Sequence, residues 1–512
     1  MNDSQSTPTT LVELLEGTPT DRVAVIAPEG NLKVTYGELR NQVLECAEAL
    51  AGAGVKRGDR IGIALPNGLP HVVILLAAAM AGIAAPLNPS YKEDEFLFYL
   101  EDTRARFLVL PHEGLAEARR AAGDKYTIIT VDLDESGRVR TSSPTRAPFG
   151  PPSINDVALI LHTSGSTGRP KRVPLSHANL TISARNVAGT YELGPTDVSL
   201  CVMPLFHVHG MVASTLATLA SGGTVVVPAR FNPLSFWRLA ADFGATWYSA
   251  VPTIHQLLVS RSSPEAGRPA GAQRLRFIRS CSAPLAPRLM SDLEDAFGAP
   301  VLEAYGMTEA AHQMASNPLP PASRQPGSVG RSTGTTQIRT MDAAGRILKA
   351  GERGEVVIRG ANVFTGYEGN PETNTASFAD GWFRTGDQGF LDEAGGLTLT
   401  GRLKEMIIRG GEKISPLEVD EVLLAHPLIA EAVAFGVPHA TWGEEVVAAV
   451  VLTSDVEATE AELISYCKEK LADFKRPKQI FITSAIPRTA TGKILRRTVA
   501  DAFSAAVKRA PR

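Results

Sequence analysis

The chain has 512 residues, of which 44% are hydrophobic and 21% are charged, so it is long enough to build two or more packed cores. A formal net charge of −3 gives no electrostatic reason to expect nucleic acid or an anionic membrane as the main partner. The four cysteines lie far apart without a CxxC pair, which argues against a disulfide framework and a zinc site and fits a reducing cytosol.

The two ends and the most apolar segment carry no targeting or membrane signal. The opening MNDSQSTPTT lacks the basic and apolar regions of a secretory signal, and the closing Ala-Pro-Arg is not a peroxisomal address. The apolar stretch 71–89 contains Gly82 and is closed by Pro86, which makes it too short for the roughly 20 residues of a membrane span. We interpret it as a buried helix that runs into a strand, and we expect a cytoplasmic protein with no membrane partner.

Strand-like and helix-like segments alternate along the chain. Short apolar runs such as 157–163 and 224–229 alternate with segments of helical spacing such as 287–297. This alternation favours an α/β fold with largely parallel sheets. No fixed-period repeat of the solenoid type is present.

The composition changes twice in the later part of the chain. From Gly327 to Gly401, frequent glycines separate short strand-like runs, which is typical of β-hairpins. After Arg402 a helix-like stretch and alternating apolar runs follow. We therefore predict an N-terminal domain of residues 1–402 and a C-terminal domain of residues 403–512.

A loop rich in glycine and hydroxyl groups follows the strand-like run 157–163. Its glycines allow a tight turn with amide groups aimed at an anion, its hydroxyls add donors, and its lysine adds charge. It does not fit the Walker pattern, because Gly168 is followed by Arg-Pro-Lys, and its composition is also typical of a flexible surface loop. The residues predicted to hold phosphate are Thr163, Ser164, Gly165, Ser166, Thr167, Gly168 and Lys171.

Six segments resemble, in order, the motifs of the adenylate-forming (AMP-binding) superfamily, which contains acyl-CoA synthetases, luciferases and peptide-synthetase adenylation domains. They are TSGSTGRPK (163–171), YGMTE (305–309), GWFRTGD (381–387), GRLKEMIIRGGEKISPLEVD (401–420), VPHATWGEE (437–445) and PRTATGKILRR (487–497). The resemblance implies a large α/β N-terminal domain with two parallel-sheet subdomains and a β-barrel-like subdomain. It also implies a small, mobile α+β C-terminal domain, and the use of ATP, CoA and Mg²⁺.

The same resemblance implies roles for residues of the nucleotide site. Glu309, next to Thr308, would hold Mg²⁺ that bridges the ATP phosphates, Asp387 would take the ribose hydroxyls, and Arg402 would contact the nucleotide. The alternatives are a surface glutamate and a β-turn aspartate. The further nucleotide contacts that it implies are Ser282, Ala283, Pro284, Glu303, Ala304, Tyr305, Gly306, Met307 and Thr308.

Three further positions concern the two half-reactions. Adenylation displaces pyrophosphate, and the charge that builds on the transferring and leaving oxygens needs a positioned cation. The resemblance assigns this catalytic and ATP-contacting role to Lys493, places the interdomain hinge at Lys404, and sets the Gly410-Gly411 pair along the pantetheine arm of CoA. Without the resemblance, both lysines would be interpreted as solvated charges.

Two positions depart from the family pattern. Arg172 follows the loop lysine where glycine is usual, and His162 precedes the loop where tyrosine is frequent. Neither change removes a group that the chemistry needs.

Segments around the expected acid pocket resemble the oxalate–CoA ligases of plants and fungi. They are FHVHG (206–210), TWYSAVPTIHQ (246–256), RFIRSCSAPLAP (276–287) and YGMTEAAHQMASNPLP (305–320). The second carboxylate of a two-carbon dicarboxylate must meet donors or positive charge, because a buried unpaired charge is costly. His312 and Ser282 are the candidates for these contacts, and His207 is the candidate beside the reacting carboxylate. A structural role for His312 and a gating role for His207 remain the alternatives.

The sequence thus predicts an AMP-forming ligase that joins oxalate to CoA. The alternatives are a CoA ligase for another short-chain or small aromatic acid, an adenylating enzyme that loads a carrier protein, and a nucleic-acid-binding or scaffold protein that kept the fold. We expect small-molecule partners and a monomer or homodimer.

Overall fold

The computed structural model describes residues 9–163, 170–262, 265, 267–453, 456–488, 494–503, 506 and 507. Its strands form four sheets, two of them large and mainly parallel. The strands up to the phosphate-loop hairpin are β1 (Val23–Ala27), β2 (Leu32–Thr35), β3 (Arg60–Ile63), β4 (Ile83–Pro86), β5 (Phe107–Pro111), β6 (Thr127–Leu133), β7 (Val139–Thr141), β8 (Val157–Thr163) and β9 (Lys171–Ser176). Those that follow, up to the hairpin-rich section, are β10 (Val198–Leu200), β11 (Thr224–Val226), β12 (Trp247–Ala250), β13 (Phe277–Ser280), β14 (Val301–Met307), β15 (His312–Ser316) and β16 (Arg331–Ser332).

The remaining strands belong to two smaller sheets. In the hairpin-rich section they are β17 (Gln337–Met341), β18 (Gly354–Arg359), β19 (Phe378–Ala379), β20 (Trp382–Leu391) and β21 (Leu397–Arg402). In the C-terminal section they are β22 (Ile407–Arg409), β23 (Glu412–Ile414), β24 (Ile429–His439), β25 (Gly443–Leu452) and β26 (Gln479–Ile482).

The helices cover the faces of these sheets. They are α1 (Tyr36–Gly52), α2 (Leu69–Ala81), α3 (Glu93–Thr103), α4 (Ala116–Ala122), α5 (His177–Thr190), α6 (Ala217–Ala220), α7 (Phe236–Asp242), α8 (Pro252–Val259), α9 (Pro287–Phe297), α10 (Pro371–Ser377), α11 (Pro416–Leu424), α12 (Glu460–Lys470) and α13 (Arg496–Phe503). A π-helical segment, His209–Leu216, precedes α6.

The seven-stranded sheet carries the phosphate-loop hairpin at one edge. Its order is β7-β6-β5-β3-β4-β8-β9, with parallel pairing from β6 to β8. At its edge β8 and β9 pair antiparallel, so that Thr163 lies opposite Lys171. This sheet therefore brings the two ends of the predicted phosphate loop together.

The nine-stranded sheet carries the residues of the expected acid pocket. Its order is β16-β15-β14-β13-β12-β10-β11-β1-β2, and β14 to β1 pair in parallel through β13, β12, β10 and β11. After β14 the chain makes a short 3₁₀ turn, Thr308–Ala310, and returns antiparallel as β15. The turn and the carboxyl end of β13 consequently lie at one edge of adjacent strands.

Helix α2 fills the space between the two large sheets. It consists almost entirely of buried apolar side chains and shares one core cluster with residues of both sheets, such as Val25 and Val109. The chain then continues after Gly82 directly into β4. The interpretation of residues 71–89 as a buried helix that runs into a strand is confirmed.

The smaller sheets separate the rest of the chain into two units. Strands β17 to β21 form an antiparallel five-stranded sheet, as the glycine-rich pattern predicts. Strands β22 to β26 form a second five-stranded sheet with its own core, packed by α11 and α12. The expected fold class is confirmed, and the predicted boundary after Arg402 falls between β21 and β22.

Within the described ranges, no helix is long and apolar enough to cross a membrane. The same residues contain no cluster of three or more histidine, cysteine or acidic side chains arranged to bind a metal ion.

Candidate active site

The described ends of the phosphate loop carry a charged residue that is partly withdrawn from water. The Nζ atom of Lys171 lies 4.5 Å from the centre of the Tyr367 ring, within the range of a cation–π contact. Burial and the nearby charge of Lys404 lower the pKa of Lys171, and Glu309 opposes this shift. The loop residues Ser164, Gly165, Ser166, Thr167 and Gly168 lie outside the described residues.

The two departures from the family pattern bind the same carboxylate. His162 Nε2 lies 3.0 Å from Asp102 Oδ2, and Arg172 Nη1 lies 2.9 Å from the same oxygen. Arg172 also donates through Nε to Glu368 Oε2 at 3.0 Å. Burial raises the pKa of the Asp102 carboxyl, but the hydrogen bonds from His162 and Arg172 outweigh this effect and lower the pKa. His162 and Arg172 face each other across β8 and β9, so this cluster fixes the base of the loop.

The 3₁₀ turn after β14 buries the candidate magnesium ligand. Glu309 is 6% exposed, and the Tyr367 hydroxyl donates to its Oε1 at 2.8 Å. Burial raises the pKa of Glu309, while the Tyr367 hydrogen bond and the charges of Arg402 and Lys171 oppose the rise. A buried carboxylate whose charge is incompletely compensated suits a hard divalent cation, so the residues present fit Mg²⁺.

The candidate ribose carboxylate lies where β20 pairs with β21. Asp387 stands opposite Arg402 in this register, and Arg402 Nε lies 2.8 Å from Asp387 Oδ1. The Tyr305 hydroxyl donates to Asp387 Oδ2. The negative charge of Asp387 raises the pKa of Arg402. The pKa of Tyr305 is also raised, mainly by burial and secondly by the charge of Asp387. The structure thus brings together three side chains that the sequence assigned to the nucleotide.

The remaining predicted nucleotide contacts lie on adjacent strands. Ser282, Ala283 and Pro284 follow β13, and residues 303–307 form most of β14. The two segments are joined by Leu285, whose backbone N–H donates to Glu303 Oε1 at 2.9 Å. Burial raises the pKa of Glu303 to about 8.

Ser282 and three histidines form the candidate acid pocket. His209 Nδ1 lies 3.0 Å from Ser282 Oγ, and the rings of His209 and His312 lie 5.3 Å apart, centre to centre. The backbone N–H of His209 donates to His207 Nδ1 at 3.2 Å. His209 begins the π-helical segment, a feature that concentrates at functional sites.

Two of these side chains stand on left-handed backbone. Ser282 has φ +74° and His312 has φ +122°. Such backbone costs about 1–3 kcal/mol for each residue other than glycine and persists where the surroundings fix it, often at binding sites. The coincidence of two such residues in one pocket supports a functional role for both.

The pocket is positively charged, but two of its histidines, His209 and His312, are neutral. Burial lowers the pKa of His209 and of His312 well below the ordinary value, and the next largest cause is the Arg279 guanidinium. Arg279 is 0% exposed and lies on β13 beside the pocket. The pocket therefore combines neutral donors with one permanent positive charge, which suits a small anion.

Three residues of this site were missed by the sequence analysis. They are His209, Arg279 and Tyr367, none of which was singled out as a site residue from the sequence. His209 and Arg279 stand in the segments FHVHG and RFIRSCSAPLAP, which drew attention to the pocket. Tyr367 follows Glu309 by 58 residues, and no pattern in the sequence links the two.

Two of the positions assigned to the C-terminal section lie in a tight glycine turn. Gly410 and Gly411 form the turn between β22 and β23 with φ +58° and +89°, and the Gly410 N–H donates to the Trp442 carbonyl at 2.8 Å. Lys404 follows β21 near Lys171. Lys493 lies outside the described residues.

Two protein-family models match most of the chain. The family model described as "AMP-binding enzyme" matches residues 12–368, and that described as "AMP-binding enzyme C-terminal domain" matches residues 418–493. The first match alone covers more than half of the 512 residues.

Two curated relatives and one solved structure are similar over nearly their full length. An oxalate–CoA ligase of Arabidopsis thaliana is 46% identical over 493 residues, covering 93% of this chain and 95% of the relative. An oxalate–CoA ligase of Saccharomyces cerevisiae is 43% identical over 524 residues, covering 94% and 95%. The o-succinylbenzoate–CoA synthetase of Bacillus subtilis, solved with ATP and a magnesium ion, superposes with a TM-score of 0.83 at 31% identity, covering 97% of this chain and all of that one.

Proposed function

The chain belongs to the AMP-binding enzyme family, and we propose that it is an AMP-forming acid–CoA ligase that converts oxalate, ATP and CoA to oxalyl-CoA, AMP and pyrophosphate. The main observation in support of this acid is the acid pocket, where Ser282 and two neutral histidines lie close to the fully buried Arg279. Relatives named oxalate–CoA ligases that are 46% and 43% identical over nearly the whole chain support the same acid.

The first half-reaction forms an oxalyl-adenylate. One carboxylate oxygen of oxalate attacks the α-phosphorus of ATP, the bond to the bridging oxygen breaks, and pyrophosphate leaves with the electron pair. We assign the ribose to Asp387, oriented by Tyr305 and Arg402, and the phosphates to the loop from Thr163 to Lys171. Lys493 is proposed to stabilise the charge on the transferring and leaving oxygens.

Glu309, with Thr308 beside it, is proposed as the metal-binding part of the site. Its buried carboxylate, held by the Tyr367 hydroxyl, is the group that would hold Mg²⁺. The ion, when bound, neutralises part of the phosphate charge. Tyr367 also contacts Lys171 through its ring, so one tyrosine orients the cation and the carboxylate that we assign to the phosphates and their metal ion.

The acid pocket discriminates by polarity more than by size. A fatty acid needs an apolar tunnel, but the described side chains here are a serine hydroxyl, imidazoles and a guanidinium. A methyl group in this place would leave the Ser282 hydroxyl and the free ring nitrogen of His312 without an acceptor, and an unpaired buried polar group costs about 1–3 kcal/mol. Ser282 and His312 are proposed to hold the carboxylate that does not react, and His207 to lie beside the one that does.

The second half-reaction transfers the acyl group to CoA. The thiolate of CoA attacks the acyl carbon, the carbon–oxygen bond to phosphate breaks, and AMP leaves. We propose that the C-terminal section turns about Lys404 between the half-reactions, and that Gly410 and Gly411 then line the pantetheine arm. Positive φ at both glycines fits a turn without side chains beside a thin ligand.

The proposal extends to the partners and the compartment. Small molecules are the expected partners of a monomer or homodimer, with no nucleic acid. All four cysteines are buried and free, which fits a reducing compartment, and we propose the cytoplasm.

A panel of acids tests the proposed substrate. The purified full-length protein is supplied with ATP, Mg²⁺ and free CoA, and AMP release is measured with oxalate, malonate, acetate and benzoate. We expect oxalate to give the highest kcat/KM. A clearly higher kcat/KM for another acid would show that oxalate is not the substrate. Turnover to AMP that requires a carrier protein instead of CoA would show that CoA is not the acceptor.

A further inference from the structure

A fully buried arginine stands behind the acid pocket, and it has no carboxylate partner in the part of the chain that the structure describes. Arg279 donates through Nε to the Tyr191 hydroxyl at 2.9 Å and through Nη1 to Ser249 Oγ at 2.9 Å. Its Nη2 donates to Gln313 Oε1 at 3.0 Å and points to His312 Nδ1 at 3.4 Å. None of the ion pairs found among the described side chains includes it. A buried charge compensated only by neutral acceptors is costly, which points to a role beyond packing.

The contact with His312 fixes which ring nitrogen carries the proton. A guanidinium has donors and no acceptor, so His312 Nδ1 must accept. Burial and the Arg279 charge lower the pKa of His312 well below its ordinary value, which keeps the ring neutral. The proton of the neutral ring therefore sits on Nε2, and His312 acts as a hydrogen-bond donor through that atom.

A second chain of hydrogen bonds leads from the same guanidinium to Ser282. Ser249 Oγ accepts from Arg279 and lies 2.6 Å from His209 Nε2. Arg279 and His209 are the partners found for the Ser249 hydroxyl in the described part of the chain, so its own proton is satisfied only by donation to His209. His209 then carries its proton on Nδ1 and donates to Ser282 Oγ, 3.0 Å away. The Ser282 proton is thereby left to donate to a ligand.

We propose that Arg279 is a positioning residue that makes Ser282 and His312 donors together and so selects acids with a second anionic group. This inference rests on the proposed function and names the feature of the acid that the pocket reads. The non-reacting carboxylate of such an acid has acceptors only, so two donors and a positive charge behind them match it. Arg279 acts through Ser249, His209 and His312 and does not itself touch the acid.

A purely structural role is the competing explanation, since the same guanidinium joins β12, β13 and β15 to Tyr191 at the end of α5. Three variants of the full-length protein separate the two. Arg279→Lys keeps the charge but loses the fork that serves both chains of hydrogen bonds. Ser249→Ala is a small change that interrupts only the chain to Ser282. Tyr191→Phe is the matched control, because it removes an equally buried hydrogen bond of Arg279 that leads to neither pocket residue.

The measurements are KM for oxalate, KM for ATP and the thermal midpoint. We expect KM for oxalate to rise about 10-fold or more in Arg279→Lys and about 3- to 10-fold in Ser249→Ala. KM for ATP should stay within about 2-fold in both, which also shows that the variants are folded. Tyr191→Phe should lower the midpoint and leave KM for oxalate unchanged.

Two results would overturn the inference. One is an unchanged KM for oxalate in Ser249→Ala, and the other is an equal rise of KM for oxalate in Tyr191→Phe. The proposed function fails separately, when the unmodified protein prefers a different acid. If that acid is another dianion, the same comparison run with it still decides the role of Arg279; if it has a single anionic group, the inference is overturned as well.

Discussion

Replacing His312 by alanine removes a donor that we place on the non-reacting carboxylate. The side chain is 2% exposed, and its Nδ1 is taken by Arg279, so Nε2 is the atom left for the acid. A hydrogen bond to a charged group contributes about 1.5–3 kcal/mol, which corresponds to a rise in KM for oxalate of roughly 10- to 150-fold. We expect kcat to change less than KM, because the reacting carboxylate lies elsewhere.

The assay is AMP release with oxalate varied at saturating ATP and CoA. The matched control is His177→Ala, which removes an equally buried histidine outside the pocket. His177 Nε2 lies 3.1 Å from the Ala79 carbonyl oxygen, and burial lowers the pKa of His177 to about 4. We expect this control to reduce stability and to leave KM for oxalate unchanged. An unchanged KM in His312→Ala, or an equal rise in the control, would assign His312 a structural role.

The protonation state of His312 gives the same prediction a pH dependence. Its pKa lies well below the ordinary value, so the ring stays neutral between pH 6 and 8 and donates without being charged. KM for oxalate in the unmodified protein should therefore be nearly constant over that interval. A KM that falls about 10-fold per pH unit on acidification would show that a protonated histidine binds the acid, contrary to this reasoning.

Three further variants test other parts of the molecule. The pKa of Glu303 is about 8, so between pH 4.5 and 8 the native state keeps a proton that the unfolded state releases, and the stability of the protein falls as pH rises. Glu303→Gln should therefore raise the thermal midpoint at pH 8.5 by about 2 °C or more and leave it unchanged at pH 4.5. Tyr305→Phe frees one oxygen of Asp387 and should raise KM for ATP about 3- to 10-fold, with KM for oxalate as the unchanged reference. Lys493→Ala should abolish adenylation but spare thioester formation from supplied oxalyl-adenylate; equal loss in both half-reactions would contradict its assignment.

The sequence predicted helices and strands well where the hydrophobic periodicity agrees with the residues that end an element. Helix α9 covers residues 287–297 because Leu289, Leu293 and Phe297 form one buried face and Gly298 ends the helix at φ +61°. Strand β8 covers residues 157–163, since an uninterrupted apolar run suits a strand covered on both faces. The order of the strands in each sheet depends on contacts between distant segments, and the local pattern did not contain it.

The site was predictable only in part, for a physical reason. Motifs identify residues that meet a ligand, such as Asp387 and Arg402, which the structure pairs across β20 and β21. Motifs do not identify the residues that contact and orient the ligand-binding side chains without touching the ligand. Arg276 and Arg279 both stand in one short basic segment, yet only the fold decides that Arg276 pairs with Asp197 while Arg279 is buried beside the pocket.

The most direct test is a competition among acids in one vessel. Oxalate, malonate and acetate are supplied at equal concentration with ATP, Mg²⁺ and a limiting amount of CoA, and the thioesters are identified by mass spectrometry. Since product ratios under competition report kcat/KM, a pocket with two oriented donors and a buried positive charge should yield mainly oxalyl-CoA. A mixture dominated by acetyl-CoA would contradict a pocket that binds a second carboxylate. A mixture dominated by malonyl-CoA would agree with binding of a dianion but would show that malonate, not oxalate, is the preferred acid.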